Sequence, residues 1–114
     1  METTSLTALA QQQLESARTA GSGRSAVTVY GGREHDLRQT LIALTAGTVL
    51  GEHESPGEAT LQVIEGRVAL RADSEHWDLA AGDHVVIPPQ RHDLRALADA
   101  AVLLTVATRA PRSD

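Results

Sequence analysis

From Gly21 onward the chain is broken at short, regular intervals: β-branched and aliphatic runs of four to eight residues, each closed by Gly, Pro, Asp or Ser. The runs are Ala26–Tyr30, Leu37–Leu44, Thr48–Glu54, Ala59–Ile64, Arg67–Ala72, His76–Leu79, His84–Ile87, His92–Leu97 and Ala101–Thr108. Strands at this spacing with turn residues between them predict an all-β sandwich or barrel, since nothing of helix length separates them to carry a parallel crossover. The first twenty residues follow another rhythm. Leu6, Leu9, Ala10, Leu14 and Ala17 recur every three or four positions, which predicts one short α-helix over Ser5–Ala20. Thr4 or Ser5 is its expected N-cap and Gly21 its stop. The stripe is narrow and its far side is rich in Gln and Thr, so the helix should lean on a larger body. The expected organisation is a helix and Gly-Ser-Gly joint over 1–22, a β domain over 23–110 and a frayed tail over 111–114.

Composition narrows the function classes. With 114 residues, 41% of them hydrophobic, one domain with an adequate core is expected. The lack of Cys removes thiol nucleophiles, Cys-ligated zinc and redox pairs. Ten cations, every one Arg, face fifteen acids, for a net charge of −5 with one Trp, one Tyr and no Phe. That is the wrong surface for a nucleic-acid partner, which needs a basic face and stacking rings. No apolar run nears the ~20 residues of a membrane span, and Met1-Glu2-Thr3-Thr4 does not read as a secretory signal. A cytoplasmic protein without membrane or nucleic-acid partners is the expectation.

Two segments carry a more specific pattern. In the first, Gly47 is followed after five residues by His53-Glu54-Ser55, then by Ala59 and, after six intervening residues, by Gly66. In the second, Gly82 precedes Pro88-Pro89-Gln90-Arg91-His92. With fifteen residues between Gly66 and Gly82, the pair resembles the two motifs of small single-domain cupins. The resemblance implies a double-stranded β-helix, or jelly-roll barrel, and a homodimer. It also implies a divalent metal held by His-x-His, a Glu and a final His. Here His53 keeps the first ligand position, but Ser55 replaces the second His and Ala59 the Glu. The second motif is one residue short before its histidine, so either His92 or Asp93 faces inward. His92 is favoured because it then shares a face with Leu94.

On that resemblance His53 and His92 are the candidate metal ligands, and Gln39, Ser55 and Gln62 the candidate ligand-binding side chains of the interior. Two imidazoles without further donors hold a metal weakly. If an ion binds, imidazole suits iron, nickel, copper or zinc, with Glu52, Glu54, Glu58 or His35 as supplementary donors. The bland readings of the other residues are a solvated rim for the three glutamates, surface positions for His76 and His84, and a core or interface plug for Trp77. Arg38 is a surface ion-pair partner or an anchor for an anion. Three functions follow: a small-molecule-binding barrel with a degenerate metal centre; a metal-dependent dioxygenase, isomerase or lyase using His53 and His92; and a dimeric sensor or interaction protein. No Ser–His–Asp arrangement has motif-level support, and no Walker loop or dinucleotide Gly-rich turn is present in the sequence.

Overall fold

The computed structural model of the protein describes residues 1–53 and 57–107, the side chains of Glu52 and His53 excepted. One helix, α1 (Leu6–Thr19), precedes nine strands: β1 (Arg24–Tyr30), β2 (Leu37–Leu44), β3 (Val49–His53), β4 (Glu58–Glu65), β5 (Arg67–Ala72), β6 (Glu75–Ala80), β7 (His84–Val86), β8 (His92–Ala96) and β9 (Ala100–Ala107). They follow the sequence runs with ends displaced by one or two residues. Ser5 is the N-cap, its hydroxyl accepting from the Ala8 N–H at 3.2 Å. Residues 54–56 and 108–114 lie outside the described residues, so the expected tail does too. Among the described residues no helix is long and apolar enough to cross a membrane.

The strands form two antiparallel sheets, β1-β2-β9-β4-β7 and β3-β8-β5-β6, packed face to face as a jelly roll. The strand order interleaves early and late segments, so the larger sheet closes only when the carboxyl-terminal strand β9 slots between β2 and β4. Between the sheets lies the main core, in which Leu44, Leu61, Val63 and Val102 of one sheet meet Val68, Leu70 and Leu94 of the other. Trp77 packs against its edge, as expected of a core plug. Turn geometry holds the ladders in place. Gly66, between β4 and β5, has φ +81°, and a Cβ there would collide with the Asp99 carbonyl oxygen and sit 2.8 Å from Ala100 Cα. Only glycine combines that conformation with that approach. Pro88-Pro89 ends the β7 run just after Ile87, whose N–H donates to the Ala59 carbonyl at 2.9 Å.

The helix covers the outer face of the five-stranded sheet. Ala10, Leu14 and Ala17 are buried there against Leu41, Ala43 and Ala101, with Leu9, Val27, Val29 and Ile64 around them. Polar ties frame this apolar contact: Gln11 with Glu65, Ser25 with Gln13, and Arg18 with Asp99. Asp99 also accepts from the Ala46 N–H at 2.9 Å, joining the helix to two turns of the barrel.

Candidate functional site

Side-chain parity along β8 decides what enters the barrel. Leu94 and Ala96 belong to the core between the sheets, so His92, two residues before Leu94, projects to the same side and is only 3% exposed. It lines a partly open pocket of about 30 Å³ between the sheets whose other described walls are aliphatic: Ile42, Leu50, Leu61, Leu70, Ile87, Leu94 and Leu104. Its Nδ1 is 2.9 Å from the Gln90 carbonyl oxygen. A carbonyl only accepts, so the ring donates through Nδ1 in this bond. The turn over 88–91 brings that carbonyl back to the ring.

Asp93 takes the other face. It is 7% exposed yet lies outside the barrel wall, where the ladder pairs it with Arg71 and their side chains meet at 2.6 Å. Such a partner is what a buried carboxylate needs in order to stay charged. Outside the wall, His92 also borders a depression of about 240 Å³, together with Arg71, Asp73, Arg91 and Asp93. The imidazole thus stands between an apolar interior and a charged exterior hollow.

The other predicted site residues divide. The backbone of His53 pairs with that of His92 in the β3–β8 ladder; its side chain, and Ser55 altogether, lie outside what is described. Gln39 and Gln62 are corrections. Ile42 and Leu44 face the barrel core, so Gln39 at odd parity falls on the outer face of β2, where its Nε2 donates to the Thr105 hydroxyl at 3.2 Å. Leu61 and Val63 are buried inward, which turns Gln62 between them out to solvent, beside His84 and Leu103. Both strands carry apolar residues on both faces near these positions, so the sequence pattern did not reveal parity. His35 is an exposed loop residue whose ring meets Tyr30 edge-on at 5.1 Å, and His76, His84 and Glu58 are exposed. The Arg71–Asp93 pair and the hollow beside it went unseen, because residues twenty-two apart meet only through strand register.

The described residues do not build the four-donor metal centre that the resemblance implied. Ala59 lies in the core, 5% exposed, and offers no donor. No group of three or more His, Asp or Glu side chains is close enough to share an ion among the described residues. Among the described residues the remaining walls around His92 are hydrocarbon.

The sequence profile described as "Cupin domain" matches residues 40–108, more than half of the chain, covering both motifs and the strands that carry His92. The chain belongs to the cupin family. Solved structures agree. A conserved protein of unknown function from Streptococcus pyogenes superposes on this cupin with a TM-score of 0.70 at 27% identity, over 81% of this chain and 80% of that one. An RmlC-like cupin from Desulfovibrio desulfuricans gives 0.66 at 25% identity, over 75% and 82%. A mutant salicylate 1,2-dioxygenase from Pseudoaminobacter salicylatoxidans gives 0.73 at 22% identity, a likeness of fold; it covers 88% of this chain but 34% of the dioxygenase. No curated protein matches the sequence.

Proposed function

We propose that this cupin is a binding protein that takes up a small molecule at His92 without a resident metal ion. The observation that carries this reading is that, among the described residues, one buried imidazole, His92, is set among aliphatic walls, with Ala59 where the family places an acidic ligand. Size constrains the ligand. About 30 Å³ holds a water or two, well short of the ~300 Å³ at which small-molecule pockets begin. The hollow of about 240 Å³ on the other side of His92 is a separate space. The ligand therefore inserts only a small apolar group beside the His92 imidazole, and the rest of it lies outside the pocket.

The backbone pairing of His53 with His92 favours a second reading, a metal-dependent dioxygenase, isomerase or lyase in which both imidazoles hold an ion. One set of measurements separates the two. Protein purified without a histidine tag is assayed for metals, then melted with iron, nickel, zinc and a panel of small neutral and anionic organic compounds. The binding reading expects well under one equivalent of metal and no shift with added ions. It also expects at least one organic compound to stabilise the wild type but not His92→Leu. A compound at a hundredfold its Kd adds about 2.7 kcal/mol, raising Tm by roughly 10 °C or more. Stoichiometric metal that is lost in both His53→Ala and His92→Ala overturns it in favour of the enzyme.

A further inference from the structure

On the outside of the four-stranded sheet an alanine sits among arginines. Val68, Leu70, Leu94 and Ala96 point into the core, so Arg67, Ala69 and Arg71 of β5 and Asp93 and Arg95 of β8 point outward. On β6, Trp77 and Leu79 pack against the core and leave His76 and Asp78 on the same outer face. Register then sets the neighbours. Ala69 lies between Arg95 and Asp78, Arg71 lies between Asp93 and His76, and Val49 of β3 stands opposite Arg95. A methyl group ringed by long side chains leaves a gap. Here it is a hollow of about 230 Å³ lined by Val49, Ala69, Arg71, His76, Asp93 and Arg95.

Two guanidinium groups overlook this gap, and they are held differently. Arg71 Nη2 donates to the Asp93 carboxylate at 2.6 Å, which orients the group while 65% of the Arg71 side chain stays exposed. Arg95 is exposed, and among the described residues its side chain makes no ion pair or hydrogen bond. Such a cation stands out in a chain with fifteen acids for ten arginines. Two arginines against one aspartate leave the lining with a net charge of +1. Asp78 stands across Ala69 from Arg95 and does not line the hollow, so an anion is favoured on the β8 side.

We propose that this hollow binds the phosphoryl group of a small phosphate monoester between Arg71 and Arg95, with His76 as a third donor. Diagonal neighbours on adjacent strands stand about 7–8 Å apart, so both guanidinium groups can reach one tetrahedral anion from different sides. A carboxylate offers two oxygens in one plane and suits a single guanidinium, as Asp93 suits Arg71. A phosphoryl group offers three oxygens and can serve Arg71, Arg95 and His76 together. The organic remainder is short, because about 230 Å³ falls below the ~300 Å³ at which drug-sized pockets begin. It lies against Ala69 and the exposed Val49. The site is on the outside of the wall and does not depend on the binding pocket proposed at His92, which is not among its lining residues.

Titration of the protein with glycerol phosphate, inorganic phosphate and acetate, followed by NMR shifts at ionic strength held constant with sodium chloride, tests the site. Holding ionic strength fixed removes general screening. Saturable shifts centred on Ala69, Arg71, His76 and Arg95 are expected, with glycerol phosphate binding more tightly than inorganic phosphate and acetate most weakly. Arg95→Ala should keep the wild-type fold and weaken glycerol phosphate about tenfold or more. Arg67→Ala removes the same charge from the same face outside the hollow, and should change affinity about twofold or less. Ala69→Glu sets a carboxylate on the floor between the two arginines and should abolish binding. His92→Leu should leave it intact, so failure here and failure of the pocket at His92 are read separately. No saturable binding, acetate or inorganic phosphate binding as tightly as the monoester, equal losses in Arg95→Ala and Arg67→Ala, or loss in His92→Leu would each overturn the proposal.

Discussion

The outer faces of the two sheets are built on the same pleat and end differently. On the five-stranded sheet, Leu41, Ala43 and Ala101 are fully buried beneath α1. On the four-stranded sheet the corresponding face shows Arg67, Arg71, Arg95, His76 and Asp78 to water, around a shallow hollow of about 230 Å³ floored by Ala69. The cause lies in the strands themselves. β9 reads Ala-Ala-Val-Leu-Leu-Thr-Val-Ala, apolar on both sides, as a strand covered on both faces must be. β6 alternates, exposed and half-buried by turns, as a strand with one wet face does. A helix was therefore needed over one sheet and not over the other, and the amphipathic segment at the amino terminus meets that need.

If this contrast is right, truncation on the covered face should cost the most. Leu41→Ala opens a cavity beneath α1 and should destabilise by about 2–5 kcal/mol, read as a lower urea midpoint at unchanged slope. A loss below about 1 kcal/mol would mean that the helix is loosely seated and the two faces are alike. On the open face the exception is Asp93, whose side chain is 9% exposed against 65% for its partner Arg71. Arg71→Ala strips that carboxylate of its ion pair and should cost about 1–3 kcal/mol, whereas Arg95→Ala nearby should stay within about 0.5 kcal/mol. Equal effects would show that Asp93 is not held by Arg71.

The smallest effect concerns the tie at the end of the helix. The Ala46 N–H and then the Arg18 guanidinium hold the Asp99 carboxyl below its ordinary value. A lowered folded value means stability that is fully present above about pH 4 and is lost as pH falls through the folded value. Because the side chain is 39% exposed, solvent screening keeps the contribution under about 1 kcal/mol. Urea melts of wild type and Asp99→Asn should differ by that margin at neutral pH and converge in acid. A gap that persists in acid would assign the tie to something other than charge.

Much of the fold was legible because its signals are local. Ser5 before a three-and-four repeat, Gly66 between two β-branched runs and Pro88-Pro89 after another each limit the backbone within a few residues. The candidate site was legible in part. His92 could be placed inward from its parity with Leu94, inside a strand whose core face is plain. Gln39 and Gln62 could not, since Leu37–Leu44 and Ala59–Ile64 offer apolar residues of both parities and a one-residue choice reverses every side chain.

What the amino-acid order determined alone is therefore the succession of helix, strands and turns, the membership in a barrel family, and an alanine without donor atoms at position 59. Tertiary structure decided which face each strand buries, that Asp93 finds Arg71, and that His92 stands with hydrocarbon inside and charge outside. The division has one physical origin. Backbone preferences act between neighbours in the chain, whereas the environment of a side chain is set by register against strands tens of residues away.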